Sequence, residues 1–371
     1  MPIDFASADR TPPTFAPGRV NLIGEHTDYS GGLVLPAAVE CGVTLRWRPD
    51  PAGIRLRSVD FPETLELGAD GTARSELAGW VRYAAAVAEL LRERGRPAAG
   101  LDGTVSSTVP VGAGLSSSAA LTVAVGLALC RAADFELPRL ELAHVAQEAE
   151  RRAVGVPVGL MDPATSLLAR RGHAILLDCG TEQHRLVPLP DDLAVVVLDS
   201  GVRHSLEHSG YATRRAELER ALPALGGARP SELTVEAAEA AALRAGVDET
   251  ARRRLRHVVS ENERVRACVR ALEAPVGPDR DALGAIFREG QASLRDDYEV
   301  SIPELDLLVA LACEEGAVAA RMTGGGFGGS VVALAEVDAA DALAEKVVAA
   351  YVARTGRPGS GRVYETADGA A

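Results

Sequence analysis

The chain has 371 residues, of which 47% are apolar and 25% charged, the composition of a globular protein with enough length for two domains. Its formal net charge of −13 argues against nonspecific binding to nucleic acid or to anionic membranes, so neither is expected as a partner. No apolar run reaches the roughly 18 residues that a membrane-spanning helix needs.

The N-terminus and the cysteines both favour a cytoplasmic protein. The first residues, MPIDFASADRTPPTF, lack the basic and apolar regions of a secretory signal. The five cysteines are widely spaced and none forms a CxxC pair, which is typical of a reducing compartment without a disulfide framework. We expect all five to be buried structural thiols.

Hydrophobic patterning predicts strands and helices in both halves of the chain. The predicted elements are strands at 33–48 and 53–59, a helix at 79–94, a strand at 101–109, helices at 122–130 and 137–154, strands at 174–178 and 194–199, a mostly helical region at 203–312, strands at 317–321 and 331–337, and a helix at 339–354. The pattern turns from strand-rich to helix-rich near residues 180–200, where we expect a domain boundary.

Residues 18–32, GRVNLIGEHTDYSGG, place many hydrogen-bonding side chains on one short segment. Arg19 starts an apolar run, and Glu25, His26, Asp28 and Tyr29 follow it. One interpretation is a solvated turn between two strands. The other is a pocket that holds a polyhydroxylated ligand, and the segment alone leaves both open.

Residues 110–120, PVGAGLSSSAA, follow a predicted strand and open a helix. Gly112 and Gly114 allow the backbone to approach a ligand closely. The unpaired amides and the dipole of a helix N-terminus suit an anion, and Ser116, Ser117 and Ser118 can donate to phosphate or ligate a cation. The alternative is a glycine turn with serine N-caps.

Two carboxylates, Glu150 and Asp162, come from neighbouring elements and can meet at one site. One could ligate Mg²⁺, and the other could accept a proton from a substrate hydroxyl. Alternatively, Glu150 lies on a solvated helix face beside Arg151, and Asp162 is a helix N-cap with Pro163 as the first helical residue.

A third glycine cluster, RMTGGGFGGS at 321–330, lies between two predicted strands. A hairpin with a bulge would need fewer glycines, and glycine beside strands marks close approach of backbone or ligand. We therefore expect a loop that closes over a ligand.

Together, these motifs resemble the galactokinase family of the GHMP kinase superfamily. GRVNLIGEHTDYSGG is similar to the galactokinase signature, PVGAGLSSSAA to the superfamily phosphate loop, and RMTGGGFGGS to its third motif. GLMD, RHVVSENERV and SLRDDYEVSIPELD also resemble galactokinase sequence, so the similarity extends from about residue 15 to 335.

The resemblance implies an α+β fold of two domains, 1–190 and 191–371, with the active site in the cleft between them. It implies transfer of the γ-phosphoryl group of ATP to the anomeric O1 of α-D-galactose in galactose catabolism, with Mg²⁺ as cofactor. We expect a cytoplasmic enzyme, and a monomer.

The resemblance also assigns roles to individual residues. Asp162 would be the catalytic base, held ionised by Arg19, whose charge would also stabilise the transferred phosphoryl group. The implied sugar ligands are Glu25, His26, Asp28, Gly159 and Tyr211.

The implied nucleotide site combines the phosphate loop with two aromatic residues. Its residues would be Gly112, Ala113, Gly114, Leu115, Ser116, Ser117 and Ser118 for the phosphates, and Trp80 and Tyr83 beside adenine. Core packing is an equal interpretation for the two aromatic residues, because they share one helix face. Ser118 and Glu150 would ligate Mg²⁺.

One departure and two alternatives remain. Pro163 stands where the family commonly has glutamine, which removes a hydrogen-bond donor beside the base. The chain could instead phosphorylate another sugar, such as N-acetylgalactosamine or arabinose, although the EHTDY segment is intact. It could also be a non-catalytic galactose sensor, although such relatives lose part of the SSSAA loop, which is complete here.

Overall fold

The computed structural model describes residues 12–72, 77–110, 112–155, 158–203 and 207–371, apart from the side chains of 207–209. Helices and mainly antiparallel strands are mixed along these residues, which confirms the α+β class. Most of the stretch that argues against a secretory signal lies outside the described residues, and that expectation stays a prediction. Within the described part of the chain, no helix is both long and apolar enough to cross a bilayer.

Within the described residues, the strands form three sheets. The strands are β1 (Thr14–Asn21), β2 (Leu33–Val34), β3 (Pro36–Pro49), β4 (Ile54–Ser58), β5 (Leu65–Leu67), β6 (Leu101–Ser107), β7 (His173–Asp178), β8 (His184–Pro188), β9 (Leu193–Asp199), β10 (Ala319–Thr323), β11 (Ser330–Glu336) and β12 (Ser360–Tyr364). The sheet orders are β1-β3-β6-β4-β5, β10-β11-β9-β12 and β2-β7-β8.

The helices cover the sheets and fill the second half of the chain. They are α1 (Val81–Glu93), α2 (Ser117–Ala132), α3 (Arg139–Val154), α4 (Met161–Leu168), α5 (Glu207–Glu219), α6 (Val235–Arg244), α7 (Glu249–Leu272), α8 (Arg280–Asp296), α9 (Pro303–Glu314) and α10 (Ala340–Thr355).

Helix α2 forms the centre of the core of the first half. Its residues are apolar on nearly every side, and residues such as Val123, Ala124 and Leu129 are buried against α1, α3, α4 and the five-stranded sheet. A helix that is apolar all round is buried rather than amphipathic. The predicted apolar helix is therefore confirmed, with its start at Ser117.

Strand β9 is buried on both faces and separates two further cores. Val196 and Leu198 pack against helices of the second half, whereas Val195 and Val197 face the opposite side. The continuous apolar run AVVVLD is typical of a strand covered on both faces.

The opposite face of β9 contributes to a core shared by both halves of the chain. This core contains Val20, Leu22 and Leu35 from the first strands together with Val265 and Phe287 from α7 and α8. The C-terminal residues return to the first half, where the Phe15 amide donates to the Ala371 carbonyl at 2.8 Å. The division at residues 190 and 191 stays a prediction.

Strand β1 was not predicted, because Pro17 and Gly18 interrupt its apolar pattern. The register with β3 shifts between Pro17 and Arg19, which marks a β-bulge. Bulges re-aim side chains beside functional sites. Here the Arg19 amide leaves the ladder and donates to the Leu115 carbonyl at 3.1 Å, which brings β1 against the phosphate loop.

The first prediction concerns Asn262 on α7, which joins the two halves. Its Oδ1 accepts from the Leu33 amide at 2.7 Å, and the side chain is fully buried. The substitution Asn262→Leu keeps the number and branching of the side-chain heavy atoms but leaves that amide unpaired, so we expect a loss of about 1–3 kcal/mol in the free energy of unfolding, measured by urea denaturation.

Ser260→Ala is the matched control on the same helix, because the Ser260 hydroxyl bonds only to carbonyls of α7. Equal losses from the two variants would contradict a specific role for the Asn262 contact.

Candidate active site

A cavity of about 480 Å³ lies where the three glycine-containing motifs meet. It is lined by side chains and backbone from β1, the turn after it, the phosphate loop, α3, α4, α5 and the loop between β10 and β11. The predicted site residues that line it are Arg19, Glu25, His26, Asp28, Tyr83, Gly112, Gly114, Leu115, Ser116, Ser117, Ser118, Glu150, Gly159, Asp162 and Tyr211.

The signature segment forms a buried turn between β1 and β2. The Thr27 hydroxyl donates to carbonyls of the turn, and the Thr27 carbonyl accepts from the Gly32 amide at 2.8 Å. Glu25 and His26 are buried, whereas Asp28 is partly exposed to the cavity. The interpretation as a solvated turn is therefore wrong, although the position between two strands is correct.

One ring nitrogen of His26 makes no well-formed hydrogen bond in this turn. The ring Nδ1 lies 2.9 Å from the Tyr29 hydroxyl, whereas the buried Nε2 has no partner of good geometry among the described residues, and the Gly325 backbone interacts with the ring only weakly, opposing the fall in its pKa. The backbone at His26 has a positive φ of 64°, a conformation that costs energy outside glycine. Burial lowers the pKa of His26 to about 4, so the ring is neutral at pH 7. A neutral imidazole facing a cavity can exchange a hydrogen bond with a sugar hydroxyl.

Glu25 is the most deeply buried carboxylate of the signature. Its Oε1 accepts from Asn21 Nδ2 at 2.9 Å, and its Oε2 lies 2.8 Å from the Arg321 guanidinium without hydrogen-bond geometry. Burial raises the pKa of Glu25 to about 7, and the charge of Arg321 opposes this rise. Burial alone would favour the neutral form of Glu25, and the charge of Arg321 partly offsets this effect, so Glu25 retains the capacity to accept hydrogen bonds.

Asp28 and Gly159 approach each other so closely that no other residue fits at position 159. A Cβ built on Gly159 would lie 1.4 Å from Asp28 Oδ2. Burial raises the pKa of Asp28 to about 6, and the nearby charge of Asp162 adds to the rise. The two predicted sugar ligands therefore lie side by side.

Arg19 and Asp162 form a bidentate ion pair at the cavity wall. Arg19 donates from Nε to Oδ1 at 2.7 Å and from Nη2 to Oδ2 at 2.8 Å, and a third donor reaches the Gly114 carbonyl. The Ser116 hydroxyl also donates to Asp162. Planar pairing of this kind adds geometric specificity as well as strength. The sequence placed Ser116 on phosphate, and its contact with Asp162 was not foreseen.

Asp162 is not a helix N-cap, because α4 begins one residue earlier, at Met161, with Leu160 at the cap. Pro163 is consequently the third helical residue. Proline costs no helical hydrogen bond there, since the first four amides of a helix have no intrahelical acceptor. Pro163 lacks the side-chain donor of the glutamine that is common in the family at this position. Arg19 and Ser116 donate hydrogen bonds to Asp162 instead.

Ser118 and Glu150 meet across α2 and α3 at the cavity. The Ser118 hydroxyl donates to Glu150 Oε1 at 2.6 Å. Arg151 and Arg152 instead pair with Glu148, so the interpretation of Glu150 as part of a solvated helix face is wrong.

These two oxygen ligands fit a magnesium ion. Mg²⁺ prefers one or two protein oxygens, with phosphate and water completing its shell. Among the described residues no group of three or more His, Cys, Asp or Glu side chains could hold a metal. An ion here would therefore depend on phosphate oxygens.

The phosphate loop presents the start of α2 to the cavity. Ser117 is the first helical residue, and Ser116 before it has a left-handed φ of 56° with no side-chain capping bond. Ser116 therefore occupies the predicted N-cap position, but its side chain does not cap the helix, because its hydroxyl donates to Asp162. Ala113 is buried behind the cavity, where its carbonyl accepts from Ser330 at 2.9 Å.

The two residues predicted to lie beside adenine, Trp80 and Tyr83, differ in their position relative to the cavity. Both pack against the core of the first half, and of the two only Tyr83 also lines the cavity. Tyr211 lines the opposite side and stacks near His26 and Tyr29, with ring centroids 5.6 and 5.5 Å apart.

The third motif forms a hairpin whose loop lines the cavity. Strands β10 and β11 pair in antiparallel register, and residues 324–329 connect them. The hairpin is present and its loop lines the cavity, whereas closure of this loop over a ligand stays a prediction. Tyr29 and Arg203 also line the cavity but were not assigned roles. Tyr29 lies inside the signature motif, which was the signal for it, whereas no sequence motif contains Arg203.

The cysteines are all free thiols, as expected, but they are not all buried. Cys41, Cys130 and Cys268 are buried, Cys179 is partly buried, and Cys313 is exposed. The prediction for Cys313 is wrong, because α9 exposes that side of its C-terminal turn.

The second prediction concerns the ionisation of Glu150. Burial raises its pKa to about 7, the Ser118 hydrogen bond opposes this, and the charge of Asp162 adds to it. A carboxyl whose pKa is higher in the folded state stabilises the fold below its ordinary pKa and loses that contribution as the pH rises through 7. In EDTA, Glu150→Gln should raise the melting temperature at pH 8 by roughly 2–4 °C more than at pH 5.

Glu148→Gln serves as the control, because Glu148 lies on the same helix and the Arg151 hydrogen bond lowers its pKa. An equal effect of Glu150→Gln at the two pH values would show that Glu150 is already ionised without cost.

Models of known families match most of these elements. The model described as "Galactokinase galactose-binding signature" matches residues 7–49, "GHMP kinases N terminal domain" matches 82–170, and "GHMP kinases C terminal" matches 258–353. The first covers the turn with Glu25 and His26, and the second covers the phosphate loop and Asp162.

Individual relatives agree over nearly the whole chain. Galactokinase of Streptomyces coelicolor is 41% identical over 91% of this chain and 88% of its own length. Galactokinase of Chloroflexus aggregans is 44% identical over 92% and 88%. The crystal structure of Lactococcus lactis galactokinase complexed with galactose is 32% identical, covers 99% of this chain and 96% of its own, and superposes with a TM-score of 0.91, which confirms the predicted two-domain fold. The chain belongs to the galactokinase family of the GHMP kinase superfamily.

Proposed function

We propose that the chain transfers the γ-phosphoryl group of ATP to O1 of α-D-galactose, giving α-D-galactose 1-phosphate and ADP. The observation that carries the proposal is the bidentate Arg19–Asp162 pair, placed between the galactose-binding signature and the phosphate loop of a galactokinase-family chain. A base, an anion-binding helix start and hydroxyl-binding side chains share one cavity.

The sugar side of the cavity supplies several fixed hydrogen-bonding groups. Glu25 and Asp28 would accept from hydroxyls, and the Nε2 of His26 would complete a further hydrogen bond. The Gly159 backbone and Tyr211 would close this side. A sugar without the matching hydroxyl would leave these buried groups unpaired, which is a strong basis for rejection.

The transfer itself depends on Asp162 and Arg19. Asp162 would accept the proton of the O1 hydroxyl while Arg19 holds the carboxylate in orientation. The amides at the start of α2 and the glycines of the phosphate loop would bind the ATP phosphates. Arg19 would also stabilise charge on the transferred group.

Ser118 and Glu150 would hold the magnesium ion of MgATP. The bound ion supplies neutralisation of phosphate charge. Tyr83 would lie beside the nucleotide, because it lines the cavity on the α1 side. We also propose a cytoplasmic monomer whose domains divide near residue 190.

The third prediction tests the catalytic base. ADP formation should depend on galactose rather than on glucose, N-acetylgalactosamine or arabinose, and Asp162→Asn should lower kcat by roughly 10²–10⁴-fold. A coupled spectrophotometric assay measures both.

Asp102→Asn is the matched control, because Asp102 also pairs with arginines but lies outside the cavity. Galactose binding without turnover in the wild type would contradict the proposed kinase activity and support a galactose sensor. Turnover with another of these sugars, but not with galactose, would contradict galactose as the substrate.

A further inference from the structure

Arg321, at the centre of strand β10, carries a fully buried guanidinium between two buried carboxylates. Its Nη2 lies 2.5 Å from Glu261 Oε1 and 2.8 Å from Glu25 Oε2. The side chains of all three residues are 0–1% exposed. A buried ion is stable only when it is paired, so each member of this triad constrains the others.

The two carboxylates of the triad are used differently. Glu261 accepts from the Gly24 amide at 2.9 Å, from Arg321, and from Arg264 at 2.7 Å, so it is occupied by the protein itself. Glu25 accepts only from Asn21, and its Oε2 makes no hydrogen bond. Glu25 lines the cavity, and Glu261 does not. Glu261 is thus an anchor, and Glu25 is the member available to a ligand.

The charges around Glu25 come from two elements. Arg321 approaches from β10, while Glu261 and His257 approach from α7, where His257 Nε2 lies 3.2 Å from the Glu25 carbonyl. Arg264 and Cys268 lie one contact further away, around Glu261. Arg321 is the one cation among them that directly contacts the Glu25 carboxylate in the described part of the chain.

We infer that Arg321 is a positioning residue for the sugar: it favours the charged form of the Glu25 carboxylate and orients that carboxylate as the acceptor for a substrate hydroxyl. The inference rests on the proposed function. Arg19 and Arg321 then have parallel roles. Arg19 orients Asp162 for phosphoryl transfer, and Arg321 orients Glu25 for sugar binding. Loss of Arg321 should weaken galactose binding far more than it slows turnover.

A purely structural role would give a different result. It would lower stability and the amount of active enzyme without changing KM for galactose. Burial already raises the pKa of Glu25 to about 7 with Arg321 present, so its removal should keep Glu25 protonated to higher pH. In the variant without Arg321, KM for galactose should therefore fall only at pH values above those at which KM of the wild type has already become constant.

The experiment compares wild type, Arg321→Met and Arg321→Lys in galactose kinetics from pH 6 to 9. We expect Arg321→Met to raise KM for galactose roughly 10–100-fold, with kcat and KM for ATP changed by less than about threefold. Arg321→Lys, which keeps the charge, should recover part of the affinity. Arg264→Met is the matched control: it removes the other arginine on Glu261, so it should lower the melting temperature and leave KM for galactose unchanged.

A second set of variants covers the case in which Arg321→Met does not fold. Glu25→Gln should reproduce the rise in KM and remove the dependence of KM on pH between 7 and 9, whereas the part below pH 7 remains because burial raises the pKa of Asp28 to about 6. Combined with Arg321→Lys, it should add nothing further, because both changes act on one interaction.

The failures of the two proposals can be told apart. A wild type without galactose-dependent ADP formation removes the proposed function. An active wild type whose Arg321 variants change only stability or kcat, or whose effects add to those of Glu25→Gln, overturns the positioning role of Arg321.

Discussion

The ion pair between Arg19 and Asp162 sets the geometry on which the rest of the site depends. It joins the bulged end of β1 to the first turn of α4, and the third donor of Arg19 fixes the Gly114 carbonyl of the phosphate loop. Three segments that are distant in sequence are thereby held at one point. Because the guanidinium and the carboxylate are both planar, the pair tolerates little displacement. The side chains that line the cavity are therefore held in well-defined positions.

Around this pair the protein maintains carboxylates in an environment that disfavours their charge. Burial raises the pKa of Glu25, Asp28 and Glu150. Such groups cost stability in the ligand-free protein, yet they gain strong partners when hydroxyls or a cation arrive. The site therefore stores unfavourable electrostatics that, under the proposed function, a bound sugar or cation would relieve, and perturbed carboxylates of this kind are concentrated at functional sites.

Local patterning predicted the elements that a continuous apolar signal defines. The all-apolar α2 and the doubly buried β9 follow directly from their sequences. Strand β1 did not, because Pro17 and Gly18 are poor strand residues whose bulge is stabilised only by contacts with β3 and the phosphate loop. Helix α4 was considered only as an alternative, with its start two residues too late, since eight residues give too short a pattern.

The roles of the site residues came from resemblance and not from patterning. Each of Glu150 and Asp162 had an ordinary local explanation, and only their tertiary placement on one cavity distinguishes them. The contact between Ser116 and Asp162 and the triad of Glu25, Glu261 and Arg321 join residues far apart along the chain. The periodicity of a sequence does not predict such contacts, because they depend on the tertiary structure of the whole chain.

The core shared by β1, β3, β9, α7 and α8 has a consequence for evolution. Its side chains come from both halves and interlock at the density of a protein interior, where even one methylene is felt. The halves are thus not modules that recombination can exchange between relatives, since a foreign second half would meet a mismatched surface. New sugar preferences in this family would have to arise by substitutions around the cavity, with the two halves changing together.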